Sequence, residues 1–244
     1  LAAELYHSEN VAYLLERIAE RTPYIRPASF SFGEQKTHNS SFQGIQVGEL
    51  SSPALIDYLR GRGINIELAK RECKELRYEY EGKTYFVVGF PNIYGGYELR
   101  NRYFKGCLAP KDITHIRQQG EQRDVCYIFE GFMDYLSFLT IRVNNNPEEP
   151  RTNEQDYMVL NSVTNLSKAE QLLRPYTRIG CFLDNDQAGQ RAYENLKRLF
   201  GNRLQDMSHH YAGHKDLNDY LCHRIQAKQA EKKCSESNPL HKNQ

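Results

Sequence analysis

Val125-Cys126-Tyr127-Ile128-Phe129-Glu130-Gly131-Phe132-Met133-Asp134 sets an apolar run of strand character directly against an acid, a glycine and the start of an apolar-periodic segment. The same order returns in Ile179-Gly180-Cys181-Phe182-Leu183-Asp184-Asn185-Asp186, where Gly189 lets the chain turn tightly into the next helical pattern. Tyr157 to Asn161 and Gln205 to Tyr211 supply two further strand patterns. Phe132 to Arg142, Ser167 to Leu173 and Gln187 to Leu199 read as the intervening helices, the last with Ala188, Ala192, Leu196 and Leu199 along one face. Short apolar strands alternating with helices predict a parallel sheet covered by helices. The expected class is α/β.

Each acidic group falls just beyond the carboxyl end of a strand pattern: Glu130 with Asp134 one helical turn on, Asp184 with Asp186, then Asp216 and Asp219 after the Tyr211 region. In an open parallel sheet the ligand crevice lies outside those strand ends, so the acids are expected on one rim. Taken singly, Glu130 or Asp134 is explained by helix capping or compensation of the helix dipole. Capping does not explain two acids at Asp184 and Asp186, whose i, i+2 spacing points both carboxylates the same way in an extended segment. Oxygen-rich clusters of this kind suit Mg²⁺, which takes one or two carboxylates and completes its shell with water and substrate phosphate.

Upstream, Val11, Leu14, Leu15 and Ile18 recur at helical spacing within Asn10 to Arg21, and Arg26 to Gly48 is polar and aperiodic, reading as linker or irregular loop. Ser51-Ser52-Pro53 opens a helix that Gly61-Arg62-Gly63 stops, and Glu67 to Leu76 reads as a second. Leu76 to Tyr80 and Tyr85 to Phe90 form a hairpin pattern, and Tyr97 to Phe104 a further strand. The expected division is 1–49 helix and linker, 50–122 a smaller α+β unit, 123–225 the parallel α/β domain, and 226–244 a charged, frayed tail.

With 39% hydrophobic and 26% charged residues, the 244-residue chain can bury a core, and it has neither a membrane-length apolar run nor a signal-peptide pattern, so a cytoplasmic protein is expected. Six cysteines stand singly without zinc-finger spacing and read as reduced thiols. A formal net charge of +1 gives no global signal for nucleic acid, so any such footprint has to be local.

The three acidic stretches, Phe129 to Asp134, Leu183 to Gly189 and Lys215-Asp216-Leu217-Asn218-Asp219-Tyr220-Leu221, resemble in order and spacing the Toprim motifs of bacterial DnaG-type primases. Tyr58-Leu59-Arg60-Gly61-Arg62-Gly63-Ile64 resembles the segment that opens the primase core; Gly89 to Asn92 with Gly95-Gly96 and Arg100 resembles its next strand pair; Pro110-Lys111 resembles the site of a catalytic lysine. The resemblance spans about residues 50 to 225, and the wording around Arg100 to Gly106 is closest to primases of plasmids and transposons. It implies template-directed synthesis of RNA primers on single-stranded DNA from ribonucleoside triphosphates, with the 50–122 unit as the primase N-terminal subdomain. A replicative helicase is the implied protein partner. By this resemblance Glu130, Asp184, Asp186 and Lys111 are catalytic, Glu130, Asp184, Asp186 and Asp216 hold Mg²⁺ or Mn²⁺ with Asp134 peripheral, and Arg100, Arg102, Lys105 and Lys111 bind phosphate. Two departures stand out: Asp112 follows the lysine where the family carries Tyr, and Asn218 replaces an acid of the third motif. Leu1 in place of Met suggests an excised fragment, and the zinc ribbon that precedes this core in the family, with its zinc, is expected to be missing.

Arg100, Arg102, Lys105, Lys111, Arg117 and Arg123, interleaved with Tyr97, Tyr103 and Phe104, read as a basic strip for single-stranded template. His209, His210 and His214 read as surface residues, since adjacent residues of a strand face opposite ways. Because the Toprim fold serves several activities, a metal-dependent Toprim nuclease and a non-catalytic nucleic-acid-binding module are the alternatives.

Overall fold

Alternating side chains on four short strands bury both faces of a mixed sheet, and this places the acidic rim. The computed structural model describes residues 42–236 apart from 81 and 122, all within one compact unit. The opening helix at Asn10 to Arg21 lies outside the described residues.

The first sheet is antiparallel, in the order β1 (Gln43–Gly48), β2 (Lys74–Tyr80), β3 (Lys83–Pro91), β4 (Tyr97–Arg100), β5 (Lys105–Leu108). Two helices, α1 (Pro53–Gly61) and α2 (Ile66–Glu72), lie between β1 and β2 in the chain. Asn65 caps α2, its side chain accepting from the N–H groups of Glu67 and Leu68.

The second sheet runs β10 (Leu204–Asp206), β9 (Arg178–Phe182), β7 (Val125–Phe129), β8 (Asp156–Val159), β6 (Thr114–Ile116), parallel throughout except for β6 at the edge. Phe129, Tyr157, Val159 and Phe182 face one side, against α3 (Phe132–Asn145), α6 (Leu217–Glu236) and the buried Leu55, Leu59 and Leu68 of α1 and α2. Cys126, Ile128, Met158, Ile179 and Cys181 face the other, against α4 (Leu166–Leu173) and α5 (Gln187–Phe200). The expected parallel sheet covered by helices is what the chain forms.

The antiparallel sheet is tied to α3 by stacked rings, Phe90 on Phe132 at 5.1 Å between centroids. Tyr135 Oη donates to Glu72 Oε2 at 3.0 Å, and the Asn65 N–H donates to Thr140 Oγ1 at 3.1 Å. Among the described residues no helix is long and apolar enough to cross a membrane.

Several boundaries differ from the sequence reading. Residues 43–48, read as loop, are an exposed edge strand whose polar sequence shows no alternation; pairing with β2 makes it a strand. The helix expected to reach Leu76 stops at Glu72, because Leu76 and Tyr78 are buried in the alternation of β2. The strand expected over Tyr97 to Phe104 breaks at Asn101, whose side chain accepts from the Tyr103 N–H and turns the chain into β5. Gln205 to Tyr211 is strand only as far as Asp206, then a 3₁₀ turn over Ser208–Tyr211, so the strand argument for the histidines does not apply. Thr114–Ile116 crosses from the expected first unit to edge the second sheet. The segment expected to fray from Ala227 continues α6 to Glu236.

Candidate active site

Beyond the carboxyl ends of β7, β8 and β9 lies a cleft of about 840 Å³, walled on its other side by β4, β5 and the loop before β6. Glu130 follows β7 and lines it, as do Asp134 from the first turn of α3, Asp184 after β9, and Lys215 and Asp216 from the loop entering α6.

The carboxylates are close enough to hinder each other's ionisation. Burial, with Asp184 and Asp186 nearby, pushes the Glu130 carboxyl up to about 7, and its Oε2 is buried without a hydrogen-bond partner. Asp134, 8% exposed, is pushed well up by burial and by Asp216 and Asp184, although its Oδ1 accepts from the Asn218 N–H at 3.1 Å. Asp184 is raised by burial and Asp216. Lys215 Nζ stands 3.5 Å from Asp184 Oδ2, which raises the lysine in turn. Carboxylates that outnumber their one ammonium partner, one of them with an orphaned oxygen, are the donor set a hard dication needs, and their chemistry fits Mg²⁺.

Asp186 is placed differently from its partners. Its side chain caps α5, accepting from the N–H groups of Ala188 and Gly189 at 2.9 and 3.0 Å, and it does not line the cleft. Asp186 does not share the direction of Asp184, as i, i+2 residues of an extended segment would, because the chain turns into the helix at Asp186 itself. Gly189 permits that turn: a Cβ there would lie 2.1 Å from the Asp184 carbonyl oxygen.

The basic strip also divides. Arg100, Lys105 and Lys111 line the cleft opposite the acids, whereas Arg102 sits with the 90%-exposed Tyr103 in a separate surface depression beside α1. Arg117 and Arg123 line a third depression with Arg71 and Tyr135. Arg102 lies in the turn at Asn101 between β4 and β5, which carries it away from the cleft that the paired strand residues Arg100 and Lys105 share.

Three cleft residues carried no functional weight in the sequence. Glu98 is 8% exposed, with Oε1 unpartnered; burial raises its carboxyl, opposed by Lys111, Arg100 and Lys105. Its only sequence signal is the i, i+2 spacing to Arg100 on β4. Arg62 reaches the cleft from the end of α1. Asn161, in the left-handed region at φ 59°, donates through Nδ2 to Asp112 O at 2.8 Å and Thr114 Oγ1 at 3.1 Å.

Both departures from the family pattern have structural work. Asp112 is buried and accepts from Lys168 Nζ at 2.7 Å, while the same ammonium donates to Lys111 O at 2.9 Å, so the acid fixes the loop carrying Lys111. Asn218, 1% exposed, donates through Nδ2 to Arg62 O at 2.9 Å and Ser137 Oγ at 2.8 Å, bracing α6 against α1 and α3.

Residues 127–221 match a Toprim-like family, and residues 44–109 match a domain of unknown function (DUF8464). No curated protein is similar enough in sequence to match. Among solved structures, the primase fragment of the bacteriophage T7 primase-helicase protein is similar with a TM-score of 0.50 at 14% identity, over 77% of this chain and 78% of that one. The zinc-binding and RNA polymerase domains of Aquifex aeolicus primase align over 80% of this chain and 53% of that one, at 16% identity and a TM-score of 0.34. At such identities the T7 likeness is one of fold: a Toprim-like domain with an antiparallel sheet before it, as in a primase core.

Proposed function

We propose, on the premise that residues 127–221 are a Toprim-like domain within a primase-like fold, that this chain is a nucleotidyltransferase that synthesises RNA primers on single-stranded DNA. The observation that carries the reading is the polarity of one cleft. Acids from Toprim strand ends line one wall, and Arg100, Lys105 and Lys111 line the other, as a reaction between a metal-bound triphosphate and a nucleic-acid strand requires. Residues 50–122 are then the N-terminal subdomain and 123–225 the Toprim domain, with β1 joining the sheet of the first and β6 that of the second.

In this reading Glu130, Asp184 and Asp216 hold Mg²⁺ or Mn²⁺, with Asp134 peripheral and Asp186 adding charge from its capping position. Bound there, the metal would neutralise triphosphate charge and activate the attacking 3′-hydroxyl. Lys111, Arg100 and Lys105 bind backbone or triphosphate oxygens, with arginine suited to bidentate contact. Lys215, paired with Asp184, offsets negative charge on the acidic wall. A helicase is the protein partner proposed, since the T7 relative is part of a primase-helicase.

The test is extension of a supplied RNA primer on single-stranded DNA with ribonucleotides and Mg²⁺ or Mn²⁺. The wild-type chain should add nucleotides, and Asp184→Asn or Glu130→Gln should abolish addition. Degradation of the template in an Asp184-dependent way, without nucleotide addition under either metal, would replace the primase reading with that of a nuclease.

A further inference from the structure

The loop that carries Lys215 and Asp216 also begins a second group of candidate ligands, of different chemistry from the acidic wall. Ligand atoms of His214, Asp219 and His223 all lie within 4.8 Å of one another. His214 Nδ1 is 3.4 Å from Asp219 Oδ2, and His223 Nε2 is 3.7 Å from Asp219 Oδ1. These separations are long for hydrogen bonds. They are close to the ~3.3 Å between two donors on a tetrahedral ion whose nitrogen and oxygen ligands stand at about 2.0–2.1 Å.

A second observation points the same way. His214 Nδ1 is shielded from solvent and has no hydrogen-bond partner, an arrangement that calls for an explanation in a native fold. The ring is nonetheless held in place. Gly213 at φ +83° turns the chain, the His214 N–H donates to Tyr211 O at 3.1 Å, and His214 O accepts from Asn185 Nδ2 at 2.9 Å. Its ring meets Tyr220 edge-on at 5.4 Å and His223 at 4.9 Å between centroids. Asp219 and His223, one turn apart on α6, share a helix face, and both line the cleft.

We propose that His214, Asp219 and His223 form a second metal site, on the α6 rim of the cleft, that takes a borderline dication of the zinc type. Two imidazoles and one carboxylate select Zn²⁺, Co²⁺ or Fe²⁺ over Mg²⁺, whereas the all-oxygen wall of Glu130, Asp184 and Asp216 has the opposite preference. Three protein ligands leave the remaining coordination for water or a phosphate oxygen of a strand in the cleft.

Because the two sites differ in metal preference, they can be read separately. The full chain is held in excess Mg²⁺ and titrated with Co²⁺, whose visible d–d absorption reports a site containing nitrogen ligands; Zn²⁺ is then added as competitor. One Co²⁺ per chain is expected, displaced by Zn²⁺ and unchanged in Asp184→Asn. It should also be unchanged in His210→Ala, which removes a ring of the neighbouring His209–His210 pair, 4.0 Å apart between centroids. His223→Ala, at a side chain 59% exposed and so without consequence for folding, should weaken Co²⁺ at least about tenfold, as losing an outer partner alone can do. His214→Ala should do the same. Absence of a saturable band in the wild type, unweakened Co²⁺ affinity in His223→Ala, or loss of the band in Asp184→Asn or His210→Ala would each overturn the proposal. None of these readings uses primer synthesis, so this site and the primase reading stand or fall separately.

Discussion

Asn218→Asp separates the motif-based view of the third acidic segment from the structural one. Restoring an acid where the resembled family carries one should, on the motif view, strengthen the metal site. The structure gives the opposite expectation. Asn218 is 1% exposed and its Nδ2 serves two acceptors, Arg62 O and Ser137 Oγ; a carboxylate has no hydrogen to offer either. Ser137 cannot turn its own hydroxyl to help, because that hydroxyl donates to Met133 O at 2.7 Å. Arg62 O would keep only the Cys222 thiol, with its sulfur at 3.4 Å. Each stranded buried group costs about 1–3 kcal/mol, so losing both hydrogen bonds should cost about 2–6 kcal/mol.

The cost should also depend on pH. A protonated side chain at 218 still donates one hydrogen bond, and burial beside Asp134 would raise its folded pKa above the unfolded value. Stability is then greatest below the unfolded pKa and is lost as pH rises through the folded one. Urea unfolding at pH 5 and pH 8 is the assay, with Asn218→Ala as the control that loses the same donors without a titrating group. Asn218→Asp should sit well below wild type at pH 8 and recover part of the difference at pH 5, while the alanine variant should show a deficit independent of pH. Equal stability of Asn218→Asp and wild type at pH 8, or tighter Mg²⁺ binding by the variant, would refute the reasoning.

Metal-free wild-type protein should lose stability as pH rises from about 4.5 to about 7, because the Glu130 carboxyl is raised over that window; Mg²⁺ should restore it progressively, measured by urea unfolding with and without the ion. Gly189→Ala should destabilise the chain by about 1–3 kcal/mol and weaken Mg²⁺ binding, since the added methyl meets the Asp184 carbonyl at 2.1 Å and must displace it; an unchanged melting temperature would argue against that contact. Lys111→Ala and Arg100→Ala should weaken single-stranded DNA binding and reduce its salt dependence by about one phosphate contact each, and Arg102→Ala should do neither, as salt titrations of affinity would show.

The parallel sheet was legible because strands buried on both faces must be apolar at successive positions, as Cys126 to Phe129 and Ile179 to Phe182 are. The ends of those runs fix the positions of Glu130 and Asp184, so the acids on the cleft wall could be placed from sequence. β1 was not legible, because an exposed edge strand needs a partner's backbone more than a side-chain pattern. Asp186 and Arg102 stand apart from the cleft lining for a local reason: a helix start at 186 and a turn at Asn101 each rotate one residue away from its neighbours. Glu98, Arg62 and Asn161 reach the cleft from separate elements, and only the packing of the two sheets brings them there.

The same packing explains why asparagines, beside the Asp112–Lys168 pair, brace so much of the cleft. Asn92 Nδ2 donates to Pro110 O at 2.7 Å and Asn161 to Asp112 O, fixing the loop on both sides of Lys111. The Asn185 side chain donates to Tyr211 O and His214 O, its backbone N–H donates to Lys215 O at 2.7 Å, and Asn218 braces Arg62. Each of these positions requires a donor aimed at a backbone carbonyl. An acid could not donate and would add charge to a wall where Glu130, Asp134 and Asp184 already resist ionisation. A lysine or arginine could donate, but beside those carboxylates it would pair with them, as Lys215 does with Asp184, and compete with a bound dication. A neutral amide meets both requirements, so Asn218 in the third acidic segment is the residue that a brace at that point of the fold demands.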